Sequence, residues 1–264
     1  MLWISILFAT VCGALAVLVA HLVVGNPKER RVPYLIVIVV VFFGLKLFST
    51  VTLEPRVQIW EANRELRGLP FYRELSEDNP ATYAKVEAVV AESVKNGDSQ
   101  DALAGKIAPI VSAAVPRYAG KASDDAIVSF VQNITHALDA LHKSDPEACY
   151  AFLFPADGGK VGAPANMSDE DQRKLLAAMG EVIHTAVHSP QPLPNTENAQ
   201  LLLTPIQAGL LKEFGDDLQL AQRKPSNARE RERVCAIIDS LYSKIIALPK
   251  SDASTVLRTM LGGQ

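Results

Sequence analysis

Two histidines are the residues whose type and spacing best fit a chemical role. His184 and His188 lie four residues apart on a predicted helix, so both imidazoles can face one metal ion. The Glu that lies between the two histidines of a zinc-protease motif is missing here. Glu181 is one possible further ligand from the same helix.

A structural explanation competes with the metal-binding one. His188 falls in the last predicted turn, where a cationic imidazole is stabilised by the helix dipole. We therefore predict no bound metal and no other cofactor, and we keep His184 and His188 as the candidates for a metal site.

Motifs for catalysis are weak throughout the sequence. Gly158-Gly159-Lys160 lacks the first spaced glycine, the Ser or Thr after lysine and the preceding strand of a phosphate-binding loop. Adjacent helical side chains face different ways, so we do not expect Asp124-Asp125 or Asp216-Asp217 to act as a catalytic carboxylate pair. The first pair is interpreted as a helix cap and the second as a solvated turn. No nucleophile elbow or dinucleotide fingerprint is present. We predict no catalytic residues and a protein that is not an enzyme.

The first predicted helical elements of the chain are two apolar runs. Residues 1–24 contain no charged side chain, and residues 32–53 contain only Lys46. Each run is long enough to cross a bilayer as a helix. We predict a two-helix transmembrane hairpin over residues 1–53, with helices at about 1–24 and 32–53 and a basic turn at 25–31. A cleaved signal peptide fits less well, because no basic residue precedes a first run that is too long.

Basic residues indicate the side of the membrane. Lys28, Arg30 and Arg31 in the short turn place it in the cytoplasm by the positive-inside rule. Arg56 and Arg64, which follow the second run together with Arg67, favour the opposite orientation. We predict a multi-pass protein of the bacterial inner membrane whose remaining residues, 54–264, lie in the periplasm.

Residues 54–264 show helical periodicity with clear stop signals and no sustained strand alternation, so we predict a single all-α domain. The strongest signal follows the cap at Ser123-Asp124-Asp125. There the apolar positions form one stripe: Ile127, Phe130, Val131, Ile134, Leu138 and Leu141. The longest loop runs from Ala156 to Met167, and helical sequence resumes near Thr196 and continues to Gln222 with an interruption at Pro205.

Charge excludes one class of partner. Four of the 26 Lys and Arg residues and one of the 29 Asp and Glu residues precede Glu54, so the predicted domain carries a formal charge of −6. It has no basic stripe, and we therefore predict no nucleic-acid binding. The run Arg229 to Arg233 alternates Arg with Glu and predicts local i,i+4 ion pairs.

The domain contains two cysteines, Cys149 and Cys235. Each lies on a predicted helix beside inward-facing apolar residues. If the domain is periplasmic, the pair can form one disulfide, and we predict that bridge. The alternative is two buried free thiols packed as small apolar groups.

Two segments resemble parts of membrane-anchored helical proteins of proteobacteria that have no established activity. They run from Ala148 to Pro155 and from Val234 to Pro249. The resemblance implies a bacterial envelope setting and supplies no functional residues.

We expect a membrane-anchored, non-enzymatic binding or scaffolding module whose partners are the lipid bilayer and either an envelope protein or a second copy of itself. One alternative is a ligand or metal sensor or a transporter accessory domain. Another is a hydrolase acting on the cell envelope, which requires a cleft where carboxylates or histidines with perturbed pKa values converge.

Overall fold

A computed structural model of the chain describes residues 40–41, 54–154 and 167–262. The two predicted membrane helices lie outside these ranges, except for Val40 and Val41, and so does Gly158-Gly159-Lys160. Contacts divide the chain into two units, Met1–Glu61 and Ala62–Gln264. Among the described residues, no helix combines the length and the apolar character needed to span a bilayer.

The prediction of an all-helical protein is confirmed for the described ranges, which contain no strand. In chain order the helices are α1 (Glu54–Gly68), α2 (Pro70–Asp78), α3 (Pro80–Asn96), α4 (Gln100–Ala119), α5 (Asp124–Ser144), α6 (Pro146–Leu153), α7 (Asp169–His188), α8 (Thr196–Phe214), the 3-10 helix η1 (Gly215–Gln222), α9 (Ala228–Ile246) and α10 (Lys250–Leu261).

Local signals determine most of the helix ends. The Asn79 side chain caps α3 by accepting a hydrogen bond from the Thr82 N–H, and Ser123 caps α5 in the same way. Gly97 ends α3 with φ of 67°, in the left-handed region that glycine enters without steric cost. Such caps involve atoms within a few residues of each other, so they form wherever the sequence provides them.

Helix α5 lies at the centre of the second unit and contacts α6, α7, α9 and α10. Five of the six residues of its predicted apolar stripe are buried: Ile127, Phe130, Val131, Leu138 and Leu141. A fully buried leucine or isoleucine stabilises the fold by roughly 1.5–3 kcal/mol relative to an exposed one. The stripe therefore provides the surface on which the surrounding helices pack.

Helix α8 differs from its prediction in the place of the interruption. It runs through Pro205 and ends at Phe214, and helical structure continues to Gln222, as predicted, in the form of the 3-10 helix η1. Gly215 follows with φ of 55° and ψ of −132°, a conformation that stops α-helical hydrogen bonding. Gly215 is also the first of the eight residues of η1, which packs on α8 and α9.

A buried arginine joins the last helix to two distant turns. Arg258 in α10 is only 8% exposed, and its guanidinium donates two hydrogen bonds to the Gly120 carbonyl and one to the Pro192 carbonyl. Asp124 lies 3.6 Å from the same guanidinium. Burial lowers the pKa of Arg258 from its usual value, and these partners offset that cost.

Candidate metal centre and apolar groove

The two candidate histidines lie beside a glutamate from another helix. His184 Nδ1 is 3.2 Å from Glu74 Oε2, although 110 residues separate the two in sequence. Glu74 belongs to α2 and is 8% exposed, whereas both histidines are exposed on α7. One potential ligand atom from each of Glu74, His184 and His188 lies within 4.8 Å of the others. Glu181, the further ligand that the sequence suggested, is not a member of this cluster.

A close approach of two helices brings the cluster together. A Cβ atom built on Gly180 in α7 would lie 2.9 Å from Phe71 N and from the Pro70 carbonyl carbon in α2. The glycine therefore allows the backbone of α2 to touch α7. Four residues further along each helix, about one turn, are Glu74 and His184. The position of their side chains follows from this backbone contact.

Both imidazole rings are oriented by hydrogen bonds. His188 Nδ1 is 3.0 Å from the His184 carbonyl oxygen, and its ring stacks on that of His184 with centroids 4.4 Å apart. On the other side of the cluster, an Arg73 nitrogen lies 3.4 Å from Glu74 Oε1. The Oε2 atom of Glu74 is therefore the one directed at the histidines.

The structure also brings Cys149 and Cys235 together. Their sulfur atoms lie within bonding distance, the Cα atoms are 6.1 Å apart, and both residues are fully buried. This Cα separation is typical of disulfides. The pair lies in a small apolar cluster with Leu138 and Leu141 and joins α6 to α9. Whether the sulfurs are oxidised in the cell stays a prediction.

A groove forms the second candidate site. It has a volume of about 770 Å³ and is lined by α8, η1 and α9, with Met260 of α10 at one edge. We call it the apolar groove. Leu203, Leu211, Leu218, Ile238 and Leu241 contribute apolar surface, and the polar lining residues are uncharged: Thr204, Gln207 and Gln222. Leu211 is 59% exposed and Met260 is 38% exposed.

Ion pairs hold the walls of the apolar groove in place. Arg233 of α9 forms an ion pair with Asp217 of η1 at 2.6 Å, and Lys244 of α9 forms one with Glu213 of α8 at 2.9 Å. The bond from Lys244 lowers the pKa of Glu213. These surface pairs are individually weak, but together they fix α8 and η1 against α9.

The Arg/Glu run does not pair as predicted. Two of its three arginines bind carboxylates on other elements rather than partners one turn away. Arg231 donates two hydrogen bonds to Glu147 in α6, and Arg233 donates one to Asp217 in η1. The prediction of local i,i+4 pairs is wrong for these two arginines, because their side chains are long enough to reach acidic groups on neighbouring elements.

A second, polar groove of about 820 Å³ contains carboxylates. Glu230 is one of them, and Arg223 binds both of its oxygens at 2.8 and 2.9 Å. Hydrogen bonds from Arg223 and Ser226 lower the pKa of Glu230 to about 2. Asp239, the acid whose pKa is raised by burial, does not line this groove.

Comparison of the chain with models of protein families, with curated proteins and with solved structures finds no match to any of them. The resemblance to proteobacterial proteins therefore stays an expectation.

Proposed function

We propose that the protein is a non-enzymatic scaffold, anchored in the bacterial inner membrane by residues 1–53, that associates with a second copy of itself through the apolar groove. The anchor is supported by the two apolar runs of the sequence. The periplasmic placement is supported by the basic turn at 25–31.

The observation that carries the proposed association is that α8 combines exposed leucines with a wall of the apolar groove. Leu201 and Leu211 are 73% and 59% exposed, and Leu211 also lines the apolar groove. In a two-fold symmetric dimer the same patch meets itself, so leucines exposed on one copy can bury against the apolar surface of the other. The lining has no charged residue, which favours an apolar occupant over a charged one.

The magnitudes favour a dimer that depends on the membrane. Burying the exposed part of two leucines from each copy contributes on the order of 4–8 kcal/mol. Association in solution costs an estimated 4–15 kcal/mol, so the surface alone gives weak binding. Anchoring both copies in one membrane raises their effective concentration, which increases the dimer fraction without any new contact.

The hydrolase alternative receives less support from the polar groove. A glycoside hydrolase needs one carboxylic acid that is protonated at working pH beside one that is ionised. Glu230 is held ionised by Arg223, and the acid with a raised pKa, Asp239, lies elsewhere. The geometry of this groove therefore fits ion pairing better than acid catalysis.

A photo-crosslinking amino acid at position 211 of the full-length protein, activated in native membranes, tests the proposal. We expect an adduct of two copies of the chain. Position 193 is the matched control, because Leu193 is 65% exposed and does not line the apolar groove. An adduct between position 211 and a different envelope protein overturns self-association. No adduct at 211, or equal adducts at both positions, overturns the apolar groove as a binding surface.

The membrane orientation has a separate test. A reporter fused after Gln264 that is active only outside the cytoplasm should give a signal, and a fusion of a reporter active only in the cytoplasm should not. The reverse result places the helical domain in the cytoplasm and removes the periplasmic part of the proposal.

A further inference from the structure

We propose that Glu74, His184 and His188 bind one divalent transition-metal ion of the zinc type. This inference is independent of the proposed dimer, since the residues lie on α2 and α7 and none of them lines the apolar groove.

Two of the ligand atoms already lie at a distance that suits a shared metal ion. Glu74 Oε2 and His184 Nδ1 are 3.2 Å apart. Ligands bound to zinc at about 2.0–2.1 Å in a tetrahedron lie roughly 3.3 Å from each other. A metal ion can thus replace the proton between these two atoms with little movement. The displaced proton is carried on the exposed Nε2 of the same ring, so coordination at Nδ1 needs only the other tautomer.

The third ligand is oriented by the protein backbone. A carbonyl oxygen can only accept a hydrogen bond, so the contact between His188 Nδ1 and the His184 carbonyl makes Nδ1 of His188 the donor. The neutral ring then has an unprotonated Nε2, which is the form that binds a metal. The three ligand atoms lie within 4.8 Å of one another, which is wider than a tetrahedral edge, so they have to move closer together when the ion binds.

The ligand chemistry selects the class of ion. Two imidazoles and one carboxylate suit zinc, copper and nickel, whereas calcium and magnesium prefer ligand sets made of oxygen alone. Two histidines and one glutamate also form the protein ligand set of several zinc sites that keep an open position. Because both histidines are exposed, water can occupy the remaining position.

The rigid part of the site is already fixed by packing. Glu74 is buried, and the contact of Gly180 with Pro70 and Phe71 fixes the spacing of α2 and α7. The position of Glu74 is therefore set before an ion binds, which keeps the ordering cost of binding small. A bound ion would connect α2 to α7 through three side chains, and metal binding should therefore stabilise the folded protein.

Zinc titration of the untagged full-length protein in detergent tests the proposal, with a chromophoric chelator as competitor. We expect one ion per chain and a rise in melting temperature with zinc. His184→Ala and His188→Ala should each lower zinc affinity at least tenfold, and Glu74→Gln by about tenfold or more. His136→Ala is the matched control, because His136 is exposed on α5 away from the cluster and should leave affinity unchanged.

Two further readouts separate a metal site from a simple Glu74–His184 ion pair. The electron paramagnetic resonance spectrum of bound Cu²⁺ should show coupling to two nitrogens, and to one nitrogen in His188→Ala. Affinity should fall as pH is lowered, because protonated imidazole cannot bind metal. Equal zinc affinity in the wild type and in His188→Ala, or an equal loss in His136→Ala, overturns the proposal. A melting temperature that responds to Glu74→Gln but never to zinc leaves only the ion pair and also overturns it.

Discussion

The α2–α7 contact and the apolar groove are two opposite ways of joining helices in one domain. At the first, Gly180 lets the backbones of two helices touch, and polar side chains lie at the rim. At the second, Gly215 ends α8 early, and the three surrounding elements leave apolar surface exposed to solvent. A glycine makes each arrangement possible, in the first case by its missing side chain and in the second by its positive φ.

The comparison shows which surface can take which kind of ligand. The closed contact holds Glu74 in place beside exposed imidazoles, which is the arrangement that a metal ion needs. The apolar groove presents leucine and isoleucine side chains and is lined by no charged residue, which is the arrangement that an apolar helix needs. Metal binding and partner binding are therefore separable, and the following changes should affect one region without the other.

Removing the cysteine pair should have the largest effect on stability. Cys149 and Cys235 tie the α9 wall of the apolar groove to α6, and 86 residues separate them in sequence. If they are bridged, we expect Cys235→Ala to lower the free energy of unfolding by about 2–5 kcal/mol. Urea denaturation with and without reductant measures this difference, and zinc affinity should not change.

Electrophoresis gives the matching control. Protein from native membranes should change mobility on reduction, and Cys149→Ser should run like the reduced form. Unchanged mobility on reduction would show two free thiols, as expected for a domain on the cytoplasmic side.

A larger side chain at position 180 should disrupt the α2–α7 contact. In Gly180→Ala the new Cβ would lie 2.9 Å from backbone atoms of Pro70 and Phe71. We expect a loss of about 1–3 kcal/mol from overpacking, despite the better helix propensity of alanine. Thermal denaturation of the full-length protein checks this.

Gly209→Ala is the matched variant on the groove helix α8. Its Cβ would meet only Lys244 Cε, at 3.9 Å, which is an ordinary contact. We expect a change between zero and about 1 kcal/mol of stabilisation, because alanine is the better helix former. Similar destabilisation of both variants would mean that the two regions are packed alike.

A charged side chain in the apolar groove should weaken the association of two copies with almost no effect on the stability of the fold. Leu211 is largely exposed, so Leu211→Asp should change the free energy of unfolding by no more than about 0.5 kcal/mol. It should nevertheless abolish the dimer, because the aspartate would be desolvated there. Chemical crosslinking of the wild type and the variant in native membranes measures this, with Leu193→Asp as control. A dimer that survives Leu211→Asp would move the interface elsewhere.

The smallest expected effect is a pH dependence at the mouth of the polar groove. The pKa of Glu230 is about 2 in the folded protein, below its usual 4.5, so the unfolded chain binds more protons between these values. Glu230 therefore stabilises the fold above pH 4.5, and that contribution is lost as the pH falls towards 2. We expect Glu230→Gln to flatten the acid limb of a stability–pH curve slightly. An acid limb that is unchanged in Glu230→Gln would contradict this expectation.

Interactions between residues close in sequence made much of the helical architecture predictable. The caps at Asn79 and Ser123 and the stop at Gly97 act on atoms within a few residues, so the helix ends could be predicted. The end of α8 could not be predicted in the same way. Glycine within a helical pattern is compatible with continuation as well as termination, and packing of η1 on α9 accompanies termination here.

The candidate metal site was likewise only partly predictable from the sequence. The sequence placed His184 and His188 on one helix face, because a spacing of four is a local property. It could not supply Glu74, which reaches His184 only because α2 packs directly on Gly180. The same limit applies to Arg258, whose buried contacts with Gly120 and Pro192 connect residues more than sixty positions apart.

The amino-acid sequence by itself thus determined the helical class, most of the helix ends, the central apolar stripe of α5 and the histidine pair. Only the tertiary structure decided which glutamate joins that pair, which carboxylates bind the arginines of α9, and where apolar surface stays exposed. The physical reason is distance along the chain. Hydrogen bonding and periodicity act over a few residues, whereas ligand sets and grooves are made by helices whose relative positions depend on packing of the whole core.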